Sequence, residues 1–200
     1  LVDSPIFVCI GSLNERQRGT SMRDTVRVCT PRHLSIGNGA LSDIAELLSR
    51  IGDVKNPLIV TDKVMVEFGI VERVQNLLKA AGMTSGVFDE VKPDPTDDVV
   101  LAGIEVLEDG KHDGVIGLGG GSPLDAGKAI AAMAINSRDI QDYRPPSQFD
   151  GVGMPMLAIP TTAGTGSEVT HHAVIIHNAT REKISCRGEG FVPGAAIVDF

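Results

Sequence analysis

Tryptophan is absent from the 200-residue chain and tyrosine occurs once, so the aromatic platforms on which single-stranded nucleic acid stacks are missing. A basic face is missing too. Eighteen lysines and arginines stand against 26 aspartates and glutamates, a formal net charge of −8, and the cations are scattered, which argues against a nucleic-acid partner. The three cysteines, Cys9, Cys29 and Cys186, are odd in number, far apart and without C-x-x-C spacing, so neither a disulfide framework nor a thiolate metal site is indicated. No apolar run reaches the roughly 18 to 20 residues of a membrane span, and the opening LVDSPIFVCIGSLNERQRGTS has no secretory pattern. The expectation is a reduced, cytoplasmic protein with no membrane association.

Hydrophobic residues make up 42% of the chain, enough for the core of one domain or slightly more. Residues 1–26 show no period, and Met22 is compatible with an internal start behind a leader of other origin; this stretch is left unassigned. Residues 27–200 alternate short β-rich runs with helical patterns, the rhythm of βαβ units and a parallel sheet. Strands are expected at 32–41 (with a turn), 57–61, 86–91, 154–160, 169–177 and 195–199, and helices at 41–51, 64–82 and 94–110. Residues 113–135 read as strand, glycine turn and helix, and 136–155 as a surface loop. The fold class is therefore α/β, a Rossmann-like parallel sheet flanked by helices.

Three stretches carry candidate chemistry. Gly119, Gly120, Gly121 and Ser122 lie between an apolar strand and the helix SPLDAGKAIA. Glycines there let the backbone bring N–H groups against a diphosphate, and the helix N-terminus adds partial positive charge. A tight turn without ligand is the alternative, and the spacing is not the G-x-G-x-x-G of the ordinary dinucleotide fingerprint. Asp62 stands where a buried strand ends; its carboxylate can accept both hydroxyls of an adenosine ribose and repel a 2′-phosphate, or it can cap the next helix. IPTTAGTGSEVT (159–170) sets hydroxyls and glycines after a strand, a cradle for a nucleotide or a plain Ser/Thr turn.

GGGSPLDAGKAIA followed by IPTTAGTGSEVT resembles the paired signature of the iron-containing (group III) alcohol dehydrogenases. LIVTDK, the DPT of KPDPT, and AIVD fall in the same order, and the resemblance covers roughly residues 32–200. It implies the nucleotide-binding domain of a dehydroquinate synthase-like fold, an enzyme that moves hydride between NAD (NADP being disfavoured) and a small alcohol or aldehyde, and a homo-oligomer. By the same resemblance Asp62 holds the adenosine ribose and Gly120, Gly121 and Ser122 the pyrophosphate. Asp125 lies beside the nicotinamide end, Thr161, Thr162 and Thr170 contact adenine, ribose or phosphate, and Lys183 reaches the cofactor. Asp94 replaces the Asn common in the family's PNPT motif, and AIVDF replaces AIVDP. Glycerol dehydrogenase and maleylacetate reductase are related readings. A noncatalytic NAD-binding fragment or scaffold is the alternative from another class.

Family members hold Fe²⁺ or Zn²⁺ through an Asp and three His in a helical second domain, whose ligands are expected beyond Phe200, and Asp199 does not match one of them. The histidines present do not suggest a substitute. His171 and His172 are adjacent in a strand-like run, which predicts opposite faces, and His177 is expected about 20 Å from His171 along the strand. His172 is a candidate pocket-lining residue, and His33 and His112 are expected at the surface.

Overall fold

The structure, a computed structural model, describes residues 28–200; the unassigned segment 1–26 lies outside them. In chain order the elements are β1 (His33–Gly37), α1 (Ile44–Gly52), β2 (Pro57–Val60), α2 (Lys63–Glu67), α3 (Ile70–Ala80), β3 (Gly86–Phe88), α4 (Asp97–Asp109) and β4 (Gly114–Gly119). They continue with α5 (Gly121–Met133), β5 (Met156–Pro160), β6 (His172–His177), β7 (Glu182–Arg187) and β8 (Ala195–Asp199).

Six strands form one parallel sheet in the order β1-β8-β5-β4-β2-β3, and β6 and β7 pair separately as an antiparallel hairpin. The central strands PLIV, GVIGLG and MLAIP are apolar almost throughout because helices cover both faces of a parallel sheet. One face is covered by α1 and α3, through Ile44, Leu47, Leu48, Val71, Val74 and Leu78. The other is covered by α4 and α5, through Val100, Ile104, Leu107, Ile130 and Met133. The hairpin lies against this second layer and buries Ala173, Ile175, Ile184 and Cys186 in the same cluster. Helix α5 is thus enclosed between sheet and hairpin, which accounts for its small and apolar composition.

Several elements differ from the sequence reading. The helix expected at 64–82 is two, because Phe68 closes α2 and Gly69, at φ 72°, turns the chain before α3. The strand expected at 86–91 ends at Phe88, with Asp62 bridging Glu90 beyond it. Within 136–155, a 3-10 turn at Ile140–Tyr143 buries both of its end residues. There Tyr143 packs edge-on against Phe149 and Phe191, with ring centroids 5.3 and 5.6 Å away. This burial pushes the Tyr143 hydroxyl up to about 12. Strand β7 was not anticipated.

Candidate functional site

The chain runs from β2 outward to β3 and then returns to place β4 on the other side of β2. Open α/β sheets form a crevice beyond the carboxyl ends of the strands at such a reversal. Val60 lies opposite Gly117, so two residues further on Asp62 and Gly119 leave the sheet side by side. The edge is tied together by hydrogen bonds: the buried Thr61 hydroxyl donates to the Leu118 carbonyl at 2.8 Å, and the Thr161 N–H donates to the Gly119 carbonyl at 2.9 Å.

Gly119 has φ 139°, and a Cβ there would stand 2.8 Å from Pro123 Cγ. Only glycine fits this bend. Gly120 and Gly121 differ: neither has a left-handed φ, and a Cβ would project toward Thr162 Oγ1 at 3.4 Å from the first and Thr165 Cγ2 at 3.4 Å from the second. The gap between glycine turn and threonine loop is therefore what their missing side chains keep clear. Helix α5 begins at Gly121 and its Gly120 cap has no side-chain hydrogen bond, so its first-turn N–H groups, Ser122 among them, have no partner within the helix. Thr161, Thr162 and Thr165 are exposed along its opposite wall.

Asp62 caps the helix that follows it. Its Oδ1 accepts from Met65 N–H at 3.0 Å, capping α2, while Oδ2 lies 3.6 Å from the position of a Gly119 Cβ. One oxygen orders the helix and the other faces the glycine turn. Asp94 and Lys183 also meet, with Nζ 2.7 Å from Oδ1, both side chains largely exposed and Asp94 at φ 58°.

Asp125 is committed to the fold: it accepts from the Ser167 hydroxyl at 2.5 Å and from Val174 N–H at 3.0 Å. Thr170 is held by Lys128, whose Nζ lies 3.2 Å from its hydroxyl and 3.0 Å from its carbonyl, as well as 2.8 Å from the His172 carbonyl. Lys128 is only 1% exposed, and burial lowers its amine to about 8 against the opposing pull of Asp125 and Glu168. Lys128 is not among the residues expected from sequence, although the one cation of α5, three residues after its one acid, Asp125, is a visible signal.

The histidines do not lie as expected. β6 starts at His172, so strand alternation does not separate it from His171, and the two rings stack at a tilt with centroids 4.1 Å apart. Burial, then the neighbouring His171, lowers the pKa of His172, which disfavours its cationic form. His177 is bound to Gln141 and Thr180, each at 2.9 Å. His112 is half-buried, not a surface group, and its Nδ1 meets the Asn56 carbonyl at 3.0 Å. Asp199 accepts from the Gly39 and Leu41 N–H groups and from Arg73. Among the described residues no three His, Cys, Asp or Glu side chains come together as a metal site. A cavity of about 580 Å³ lies elsewhere, between Gly39, Ser42, Gly69, Arg73 and Asn76, and includes none of the residues at the glycine turn.

The family model for iron-containing alcohol dehydrogenase matches residues 31–200. The chain belongs to that family. It is 38% identical over 164 residues to the NAD-dependent methanol dehydrogenase of Bacillus methanolicus, covering 82% of this chain and 43% of the relative. It is 38% identical over 165 residues to the lactaldehyde reductase of Escherichia coli K12, with the same two coverages. Among solved structures, 1,3-propanediol oxidoreductase superposes with a TM-score of 0.83 at 32% identity, over 88% of this chain and 46% of that one. The NAD⁺ complex of sulfoacetaldehyde reductase from Bifidobacterium kashiwanohense gives a TM-score of 0.78 at 31% identity, over 86% and 46%. The chain spans less than half the length of these iron-containing alcohol dehydrogenases.

Proposed function

We propose that this chain is the dinucleotide platform of an alcohol oxidoreductase, binding NAD in preference to NADP and serving hydride transfer to or from a small alcohol or aldehyde. The observation that supports the reading is the convergence of Asp62 Oδ2, the glycine turn and Thr162 at the one point where the strand order reverses. The N–H groups at Gly121 and Ser122 hold the pyrophosphate, with the α5 dipole favouring its charge. Asp62 Oδ2 accepts the ribose hydroxyls and repels a 2′-phosphate, while Thr161, Thr162 and Thr170 line the nucleotide's other side. Lys183, paired with Asp94, reaches the cofactor, and His172 lines the pocket. Bound NAD supplies the hydride acceptor. No step is assigned to a metal through the residues described here. In cells the reading places the protein in the cytoplasm as a homo-oligomer.

The test is calorimetry with NAD, NADP and ADP-ribose, together with NADH absorbance during incubation with ethanol, 1,2-propanediol and butanol. NAD binding tighter than NADP is expected. Equal affinities overturn the role of Asp62, and no NAD binding overturns the platform.

A further inference from the structure

We propose that Lys128 is a positioning residue for dinucleotide binding: from inside α5 it fixes the threonine loop at a set distance from the glycine turn. The proposal rests on the dinucleotide reading above.

The loop 161–171 joins β5 to β6 and supplies the wall opposite Gly120 and Gly121. Much of it is exposed, and its registry with the turn depends on what holds its far end. Two residues of α5 do so. Asp125 takes Ser167 and Val174; Lys128, three positions later and on the same helical face, takes Thr170 and His172. Since α5 begins at the glycine turn, the cradle and its opposing wall are indexed to one rigid helix.

Lys128 is suited to this task by chemistry. An ammonium has three donors, and the three oxygens within 3.2 Å are the Thr170 carbonyl, the Thr170 hydroxyl and the His172 carbonyl, so its hydrogen-bonding capacity is filled by the end of this loop and the first residue of β6. A lysine 1% exposed is costly to bury unless paired. The charges that face it are Asp125 on its own helix and Glu168 on the loop, and His172 lies beside it on β6. Glu168 Oε2 is buried without a hydrogen-bond partner, so its charge is left to act on Lys128 across the gap. A leucine or methionine at 128 would leave these three oxygens without the donor they have here.

The experiment compares wild type, K128M and K128R by hydrogen exchange over residues 165–174 and by NAD calorimetry, with thermal unfolding as a control. Expected for K128M are exchange at least tenfold faster in 167–174 but not in β4 or β5, and NAD affinity at least tenfold weaker, with K128R closer to wild type in both. If K128M does not fold, K128Q, which keeps donors and loses the charge, is measured in its place. Unchanged exchange in 167–174, or faster exchange throughout the chain with unchanged affinity, overturns the proposal. Failure of wild type to bind NAD overturns the dinucleotide reading itself, a result independent of the exchange comparison.

Discussion

The glycines of the turn separate into one required by the fold and two that leave space, and substitution by alanine distinguishes them. In Gly119→Ala the added methyl meets Pro123 Cγ at 2.8 Å on a backbone at φ 139°. A side chain in so sparsely populated a region costs about 1–3 kcal/mol, and overpacking a well-filled site costs about 1–3 kcal/mol more. Together these remove about 2–6 kcal/mol from a stability on the order of 5–15 kcal/mol. At about 2–4 °C per kcal/mol for a chain of this size, the midpoint falls by roughly 4–24 °C. In Gly121→Ala the methyl meets only Thr165 Cγ2 at 3.4 Å, in a helical position where alanine is the better residue. The fold is then kept, and under the proposed function the methyl intrudes on the pyrophosphate. Urea unfolding is expected to show a large loss for G119A and almost none for G121A, whereas calorimetry is expected to show at least tenfold weaker NAD binding for G121A, about 1.4 kcal/mol or more. G121A binding NAD as wild type does, or G119A as stable as wild type, refutes this division.

Asp62→Asn retains a capping oxygen for Met65 N–H, so stability is expected to change by less than about 1 kcal/mol while the NAD-to-NADP affinity ratio moves toward unity; an unchanged ratio in calorimetry counts against Asp62. Ser167→Ala removes the buried hydroxyl that donates to Asp125 and is expected to cost about 1.5–3 kcal/mol in urea unfolding; a loss below about 0.5 kcal/mol contradicts a charge-assisted bond there. The Lys128 amine, lowered to about 8 from 10.5, gives a pH signature. Between these values the unfolded chain binds more protons than the folded one, so this group's burial penalty is constant below about 8 and is relieved as pH rises toward 10.5. Wild type is therefore expected to gain stability relative to K128M over that range, by up to about 3 kcal/mol, and a pH-independent difference rejects the assignment.

The strands were legible where burial on both faces makes the sequence apolar: 195–199 was read with its observed bounds, and 57–61 and 154–160 within two residues. The glycine turn, Asp62 and the threonine loop were also legible, because backbone chemistry at strand ends restricts composition. Less legible was what depends on tertiary context. The helical period runs unbroken through Phe68 and Gly69, so nothing local announces the turn between α2 and α3. β7, EKISCR, alternates correctly but carries charge on its exposed side and buries only Ile184 and Cys186 inside the layer formed with α5. His171 was assigned to a strand that begins one residue later, and the opposite-face expectation failed with it. Asp62 shows that capping a helix leaves a carboxylate one oxygen to spare: Oδ1 takes Met65 N–H and Oδ2 faces the glycine turn.

The position of β8 between β1 and β5 has a consequence for how the molecule is made. β1 pairs with no other strand of the sheet, and the Gly39–Asp199 contact that secures the junction spans 160 residues. β8 follows β1 in the chain, so the edge of β1 stays unpaired until Ala195–Asp199 inserts between it and β5. A nascent chain halted before Ala195 thus presents two open strand edges, those of β1 and β5, to its neighbours.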